Sequence, residues 1–284
     1  MSFLDRMKNI DRRIIFLLIG LGVTIPLLFD ISFKEVPTTP SKKIFDKIES
    51  MPPGSKILFS FDYDPPSEPE LQPMANSLIR HCASKGHKLF FMALWPMGQT
   101  MARNTIKNII NKEFPDYRYG IDYINLGYKA GNQMVINVIL SNFYQMFTQD
   151  AEKQLGLNNF EMMGNIKNLR NIDLIISLSA GDPGTKQWVQ FGGDPSGIPI
   201  ITGVTSVQAP LFIPYYPNQL VGILGGIKGA AEYEVLLMER MPRYKDRKMH
   251  TAIRRMGPQT IAHAVIILFI IIGNVTYFVE RKRA

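Results

Sequence analysis

The chain has an apolar segment near each end, and these two segments constrain its fold more than any other feature. Residues 14–29 read IIFLLIGLGVTIPLLF, and residues 261–279 read IAHAVIILFIIIGNVTYFV. A helix needs about 20 mainly apolar residues to cross a bilayer. We therefore predict transmembrane helices at residues 14–31 and 260–279. The first is expected to act as an uncleaved signal anchor, because no Ala-x-Ala site follows it.

Basic residues flank both segments and bear on the orientation of the predicted helices. Arg12 and Arg13 precede the first segment, and Arg281, Lys282 and Arg283 follow the second. Basic residues also occur on the domain side of both segments, so a simple count does not decide. We expect an integral protein of the cell (inner) membrane. The first helix usually sets orientation, and its leading edge is basic. Both termini would then be cytoplasmic and the intervening domain extracytoplasmic.

The two predicted helices divide the chain into seven segments. These are a basic flank at 1–13, a transmembrane helix at 14–31, a Pro- and Ser-rich linker at 32–55, a soluble domain at 56–240, a basic linker at 241–259, a transmembrane helix at 260–279 and a basic tail at 280–284. The net charge is +8, but many of the basic residues lie beside the apolar segments, so we expect no binding to nucleic acid. With Cys82 as its single cysteine, the chain can form no intrachain disulfide.

Apolar runs alternate with helical periodicity through the predicted domain. The runs occupy 57–61, 89–94, 123–126, 174–178 and 198–202, and the helices are expected at 69–85, 100–114, 132–147, 185–191 and 218–238. The runs are continuously apolar, as expected when helices cover both faces of a parallel sheet. We predict an α/β fold with a doubly wound, mainly parallel five-stranded sheet, flavodoxin-like or Rossmann-like, between the two transmembrane helices. An antiparallel sheet is the alternative. Residues 152–170 have the weakest periodicity and are interpreted as a lid or an edge insertion.

Ligands of doubly wound domains bind outside the carboxyl ends of the strands. After the first predicted strand, Asp62 and Asp64 could coordinate Mg²⁺ or share a proton. The same segment also reads as a helix start, with Ser67 as N-cap and Glu70 completing a capping box, and this interpretation is favoured. No metal site is assigned.

The later loops supply further polar candidates. Lys129 and Lys186 stand beside glycines and predicted helix starts, where an anion could bind. No loop matches the Gly-x-Gly-x-x-Gly or Walker pattern, so a nucleotide is not supported and the cofactor stays undefined. The complete set of ligand-binding candidates is Asp62, Asp64, Gln99, Lys129, Asn132, Asp182, Lys186, Thr205 and Ser206.

No catalytic set is apparent in the sequence. The four histidines lie at helical or membrane-proximal positions, away from the strand ends. We interpret His81 as a surface histidine and Cys82 as a buried small residue. Enzymatic activity is uncertain and less expected than binding.

The last predicted domain helix, 218–238, contains overlapping Gly-x-x-x-Gly spacings. A glycine costs about 1 kcal/mol relative to alanine inside a helix, so this density predicts a close approach. The approach could be to the sheet or to another protein. The candidates for an interaction helix and the residues before it are Tyr215, Tyr216, Gly222, Gly225, Gly226 and Gly229. The basic stretch 238–257 that follows either lies on anionic headgroups or forms a solvated linker.

These features favour a membrane-tethered binding or assembly protein. Its expected partners are the membrane, a small ligand, and another membrane protein or a second copy of the chain. The alternative is a membrane-anchored hydrolase or transferase that uses Asp62 and Asp64 with a divalent metal, together with Lys129 or Lys186. That alternative predicts a requirement for metal or anion and loss of activity on Asp62→Asn.

Overall fold

The computed structural model describes residues 11–33 and 35–281. The chain divides into two compact units. One is the domain Glu35–His250, and the other contains the described parts of the two terminal segments. Most of the predicted basic flank at 1–13 and of the basic tail at 280–284 lies outside the described residues.

The secondary structure alternates between strands and helices through the domain. The strands are β1 (Lys56–Asp62), β2 (Lys88–Ala93), β3 (Tyr123–Tyr128), β4 (Leu174–Ser179), β5 (Ile200–Val204) and β6 (Leu220–Gly225). The longer α-helices are α1 (Arg12–Leu28), α2 (Thr39–Ser50), α3 (Glu68–Ser84), α4 (Gly98–Thr105), α5 (Gln133–Ser141), α6 (Gly226–Arg240) and α7 (Thr251–Arg281). Short α and 3-10 turns lie at Pro65–Ser67, Asn111–Glu113, Phe143–Met146, Leu157–Asn159, Glu161–Met163, Leu169–Asn171, Thr185–Gln187, Asp194–Ser196, Ala209–Phe212, Ile213–Tyr215, Pro242–Tyr244 and Arg247–Met249, with π turns at Ile106–Ile110 and Trp188–Gly193.

The sheet has six strands in the order β3-β2-β1-β4-β5-β6, and every neighbouring pair is parallel. The predicted α/β fold with a parallel sheet is confirmed, but the sheet has one strand more than expected. This order is that of Rossmann-type sheets, whereas flavodoxin-like sheets have the order 2-1-3-4-5. The chain order reverses between β1 and β4, and this is the point at which such folds bind ligands.

The sixth strand corrects the prediction of a helix over 218–238. Leu220–Gly225 is an extended strand, and Gly226, with φ +59°, begins α6. Gly222 and Gly225 therefore lie in a strand and cannot form a helical Gly-x-x-x-Gly face. A Cβ on Gly222 would lie 2.4 Å from the carbonyl oxygen of Pro40. The close approach that the glycines indicated is real at this position, but it is made by α2 against β6.

The domain is longer at both ends than the sequence indicated. The predicted linker 32–55 contains α2, whose side chains Ile44 and Ile48 are fully buried and which packs beside β6. In the predicted linker 241–259, Tyr244 is fully buried and its hydroxyl lies 2.8 Å from Ser84 Oγ. Both linker predictions are therefore corrected over these residues, because apolar side chains that contact the sheet or its helices are buried.

Helices cover both faces of the sheet. On one face, Phe59, Phe61 and Phe91 form an aromatic cluster. On the other, Leu58 and Met92 belong to a core that includes Trp188 and the buried face of α5. Burying each large apolar side chain stabilises the fold by roughly 1.5–3 kcal/mol. The predicted helices 100–114 and 132–147 both occur but are interrupted, by the π turn Ile106–Ile110 and at Asn142.

The second unit contains α1 and α7. In the described part of the chain, one helix is long and apolar enough to cross a membrane, and it lies within α7 at Thr251–Val279. The prediction of a C-terminal span is confirmed to that extent. Helix α1 has 17 residues and a length of about 26 Å, shorter than the roughly 30 Å bilayer core. A Cβ on Gly22 of α1 would lie 3.3 Å from Ile261 Cγ2, so the two helices are in close contact.

Candidate functional site

The carboxyl edge of the sheet brings together the loops that follow several strands. Asp62 at the end of β1 pairs with Ser179 at the end of β4, on the two sides of the reversal in strand order. Trp95, after β2, donates a 2.7 Å hydrogen bond from Nε1 to the carbonyl oxygen of Pro183, after β4. A Cβ on Gly181 would lie 3.0 Å from Trp95 Cζ2 and 3.7 Å from Gln208 Nε2. The loops after β2, β4 and β5 are therefore packed against one another.

Asp62 lies beneath these loops and is fully buried. Its carboxylate accepts hydrogen bonds from Ser60 Oγ at 2.7 Å, the Leu94 backbone N–H at 2.7 Å and Trp188 Nε1 at 3.2 Å. Burial raises the pKa of Asp62 to about 7, and these three donors offset part of that rise. The group therefore changes charge close to neutral pH.

The two aspartates have separate partners. Asp64 Oδ1 accepts a 3.0 Å hydrogen bond from Ser67 Oγ, whereas the oxygens of Asp62 are occupied by Ser60, Leu94 and Trp188. Across residues 11–33 and 35–281, no group of three or more His, Cys, Asp or Glu side chains is arranged to hold a metal ion. The geometry thus gives no support to a shared divalent-metal site at Asp62 and Asp64.

The predicted capping box is not formed. The Ser67 side chain makes no cap hydrogen bond to α3, because its hydroxyl is directed to Asp64. Glu70 Oε2 instead accepts from the Ser206 backbone N–H at 2.7 Å and from Ser206 Oγ at 3.0 Å. Glu70 therefore joins the first turn of α3 to the loop after β5. Ser206, a predicted ligand-binding residue, has a structural partner.

Three other candidates lie near the end of β3. Lys129 Nζ lies 5.5 Å from the centre of the Phe147 ring, a cation–π contact. Asn132 is exposed and has φ 51°, immediately before α5. Gln99 reaches this region from α4, because its Nε2 lies 3.6 Å from the position of a Cβ on Gly127.

The remaining candidates lie after β4 and β5. Asp182 Oδ2 accepts a 2.9 Å hydrogen bond from Gln187 Nε2, and the Lys186 side chain is exposed. The carbonyl oxygen of Thr205 accepts from the backbone N–H groups of Gln208 and Ala209. Asp182 and Thr205 thus make local contacts, whereas the Lys186 side chain faces solvent.

The segment after β5 exposes aliphatic side chains. Residues 207–217, named here the apolar loop, read VQAPLFIPYYP and carry no charge. Val207 is 87% exposed, Leu211 65% and Ile213 63%, while Phe212 is buried and anchors the loop in the core. Tyr215 and Tyr216, the two residues of this loop predicted from the sequence as interaction candidates, are half-buried. Val207, the most exposed member, is not among those candidates, because its neighbours in the sequence alone do not reveal its exposure.

A groove of about 440 Å³ lies elsewhere on the domain. A hydrogen-bond network borders it, in which Arg103 and Asn125 bind Glu152 at 2.8 and 2.6 Å and the Tyr119 hydroxyl donates to Asp150 at 2.5 Å. The groove is lined by Arg103, Ile106, Lys107, Asn111, Tyr119, Tyr123, Glu152 and Lys153. None of these residues is among the candidates predicted from the sequence, because they come from three separated segments. The nearest signal was the aromatic spacing of Tyr119 and Tyr123.

Comparison of the chain with protein-family models and with curated proteins gives no match. Three features of the domain bear on its function, and these are the buried Asp62, the groove and the apolar loop. Of these, the apolar loop departs most from an ordinary domain surface, because Val207, Leu211 and Ile213 are all exposed within one short loop that Phe212 anchors to the core.

Proposed function

We propose that this chain is a membrane-anchored binding or assembly protein whose apolar loop binds a partner membrane protein. The observation that carries the proposal is the exposure of Val207, Leu211 and Ile213 on a loop that Phe212 anchors to the core. Covering one such aliphatic side chain contributes roughly 1.5–3 kcal/mol. A partner that covered all three would thus gain a substantial apolar contribution to binding.

The composition of the loop favours a protein as the occupant. The centres of protein interfaces are depleted in charged residues, and residues 207–217 contain none. Small-molecule sites are mostly concave pockets, whereas these side chains are largely open to solvent. The partner is expected in the same membrane, because α7 is long and apolar enough to hold the domain there.

The proposal includes a second span and an orientation. Helix α1 has 17 residues, at the lower end of the range for spans, and exposes Phe16 and Leu28 by 70% and 74%. Arg12 and Arg13 precede its apolar segment and favour a cytoplasmic N-terminus. In this arrangement both termini are cytoplasmic and the domain lies outside the cytoplasm of a cell with an inner membrane.

Cysteine labelling in intact cells tests the orientation. Cys82 is fully buried and burial raises the pKa of its thiol, so it should give little background. Asp182 is exposed, and an Asp182→Cys variant should react with a membrane-impermeant maleimide before lysis, after permeabilisation of any outer membrane. Protection of the introduced cysteine until lysis would reverse the orientation.

Site-specific photo-crosslinking in cells tests the partner surface. A photo-reactive residue at Leu211 should give one discrete product that contains an integral membrane protein, and the same residue at exposed Asn104 of α4 should not. Adding Val207→Asp should reduce the yield at Leu211, because a buried unpaired carboxylate is costly. Equal yields at Leu211 and Asn104, or no effect of the aspartate, would contradict the proposal.

The hydrolase or transferase alternative has less support. It needs Asp62 and Asp64 to meet a metal or substrate, yet Asp62 is fully buried and Asp64 is bonded to Ser67. Nothing in the geometry near the two lysines favours it either, since Lys129 lies against Phe147 and Lys186 is simply exposed.

A further inference from the structure

A small pocket lies between α1 and α7, where the last turn of α1 meets the first turns of α7. It has a volume of about 190 Å³ and is lined by Leu27, Asp30, Thr251, Arg254 and Arg255. Arg254 Nε lies 3.1 Å from Asp30 Oδ1, and both side chains are about half exposed. The ion pair joins the end of α1 to the start of α7, and Arg255 also lines the pocket.

The position of the pocket along α7 matches the headgroup layer of a bilayer. Ile261, where the apolar segment begins, lies six positions after Arg255, and this corresponds to about 9 Å of helix. The headgroup layer on each side of the hydrocarbon core is about 5–8 Å thick. On α1, Leu27 belongs to the apolar segment and Asp30 is the first charge after it. The pocket is thus bounded by apolar surface on one side and charge on the other.

We propose that this pocket binds the phosphate group of an anionic phospholipid, with Arg254 and Arg255 as the binding residues. The inference rests on the proposed insertion of α7 into a membrane. Two guanidinium groups and one carboxylate leave a net charge of +1, which complements a phosphodiester. A guanidinium carries five N–H donors in one plane, and the contact with Asp30 uses Nε of Arg254. The positive end of the α7 dipole adds to the attraction.

For the basic stretch 238–257, a phosphate-binding role of Arg254 and Arg255 favours contact with anionic headgroups over a solvated linker. Part of that stretch is folded into the domain, because Tyr244 and His250 are fully buried. Arg254 and Arg255 belong to α7, where their backbone is held in a helix. A solvated linker would leave the two side chains without a common ligand, whereas the pocket holds both beside one cavity.

The experiment uses the full chain reconstituted in nanodiscs of phosphatidylcholine with a minor fraction of phosphatidylglycerol, followed by native mass spectrometry of the lipids that stay bound. Phosphatidylglycerol should be enriched over its bulk fraction. Replacing Arg254 and Arg255 by glutamine should lower the enrichment about fivefold per arginine, the ratio that corresponds to about 1 kcal/mol per basic residue near an anionic surface. A control with Lys112→Gln and Lys186→Gln removes the same charge from exposed domain positions and should keep the enrichment.

Three results would overturn the inference. These are no enrichment in the unchanged protein, equal enrichment in the arginine variant, and loss of enrichment in the lysine control. Displacement of the lipid by inorganic phosphate would assign the pocket to free phosphate and would also overturn the lipid assignment.

Flotation with neutral phosphatidylcholine vesicles checks the membrane insertion of the protein separately. A protein that floats but shows no headgroup preference contradicts only this inference, whereas one that does not float contradicts the proposed membrane anchoring.

Discussion

Trp188 donates a 3.2 Å hydrogen bond from its indole Nε1 to Oδ2 of Asp62, and this contact joins the π turn after β4 to the end of β1. The other carboxylate oxygen accepts from the backbone N–H of Leu94, which follows β2. One buried carboxylate therefore connects three segments directly below the strand-end loops. Because burial raises the pKa of Asp62 to about 7, the connection is expected to change with pH.

Tryptophan fluorescence should report the ionisation of Asp62. The chain has two tryptophans, Trp95 and Trp188, and both lie in the domain. The hydrogen bond from Trp188 is stronger when its acceptor is charged, so the emission should titrate with a midpoint near pH 7. Asp62→Asn should abolish this transition, while Asp64→Asn, at a residue paired with Ser67, should leave it in place. An unchanged titration in Asp62→Asn would refute the assignment.

The same shift predicts how Asp62 affects stability. Its pKa is about 7 in the folded state and 3.8 when unperturbed, so between these values the folded domain binds the proton more tightly. The stabilising contribution is full below pH 4 and is lost as pH rises through 7, on the order of 4 kcal/mol in total. We expect urea unfolding in detergent, followed by tryptophan fluorescence, to show this loss relative to Asp62→Asn. Parallel pH profiles for the two proteins would contradict it.

His81 is fully buried, which corrects its interpretation as a surface residue. Its Nδ1 lies 2.7 Å from the Tyr233 hydroxyl and its Nε2 lies 2.9 Å from Glu49 Oε2. Burial lowers the pKa of His81 to about 4, so the ring is neutral at pH 7. Because Glu49 can only accept, Nε2 carries the proton and Nδ1 accepts from Tyr233. The stability that His81 contributes is present above pH 6.5 and is lost as pH falls through 4.

Tyr233→Phe should destabilise the domain by about 1–3 kcal/mol at pH 7, because it leaves Nδ1 of His81 buried without a donor. Thermal or urea unfolding followed by tryptophan fluorescence would measure this loss. Tyr216→Phe is the matched control, since it keeps the ring that Lys43 contacts and should change stability by less than about 0.5 kcal/mol. Equal effects of the two substitutions would argue against the hydrogen bond.

Glu232 holds the start of α2 on the domain. Its Oε2 accepts hydrogen bonds from the Thr38 backbone N–H at 3.0 Å, Thr38 Oγ1 at 2.6 Å and Ser41 Oγ at 2.7 Å. We expect Glu232→Ala to cost about 3 kcal/mol, because the backbone N–H and hydroxyl of Thr38 lose their acceptor and Lys228 loses its ion-pair partner. Limited proteolysis should also cleave α2 earlier in this variant. Glu239→Ala, at an exposed position of the same helix, should be nearly neutral, and comparable losses at both sites would disprove the role of Glu232.

Gly222→Ala distinguishes the observed strand from the helix that the sequence indicated. A Cβ at this position would lie 2.4 Å from Pro40 O and 2.5 Å from Ile44 Cγ1, so we expect a loss of about 2 kcal/mol or more. In a helix interior the same change would stabilise by about 1 kcal/mol. The sign of the change in unfolding free energy therefore distinguishes a strand from a helix at residue 222. At Gly20, where a Cβ would meet no atom of the described residues within 4 Å, alanine should be tolerated.

The course of five strands and the apolar C-terminal helix follow from the sequence alone. Mainly apolar runs such as Leu174–Ser179, without strict alternation of polar residues, require cover on both faces, and that requirement predicts a parallel sheet with flanking helices. The helix within α7 that is long and apolar enough to cross a membrane is equally local, because it depends only on the length of an apolar segment. The strands and the apolar helix both depend on consecutive residues, so periodicity and segment length are sufficient to predict them.

Only the tertiary structure decided three features, which are the sixth strand, the packing of α2 into the domain, and the hydrogen-bond partners of the polar candidates. Gly222 has no strong local preference, and its strand conformation depends on α2 packing beside it. Asp62 and Asp64 look equivalent in the sequence, but one is buried against Trp188 and the other is bonded to Ser67. Burial and hydrogen-bond partners are set by residues that are distant along the chain. A local sequence pattern does not indicate which of those residues come into contact.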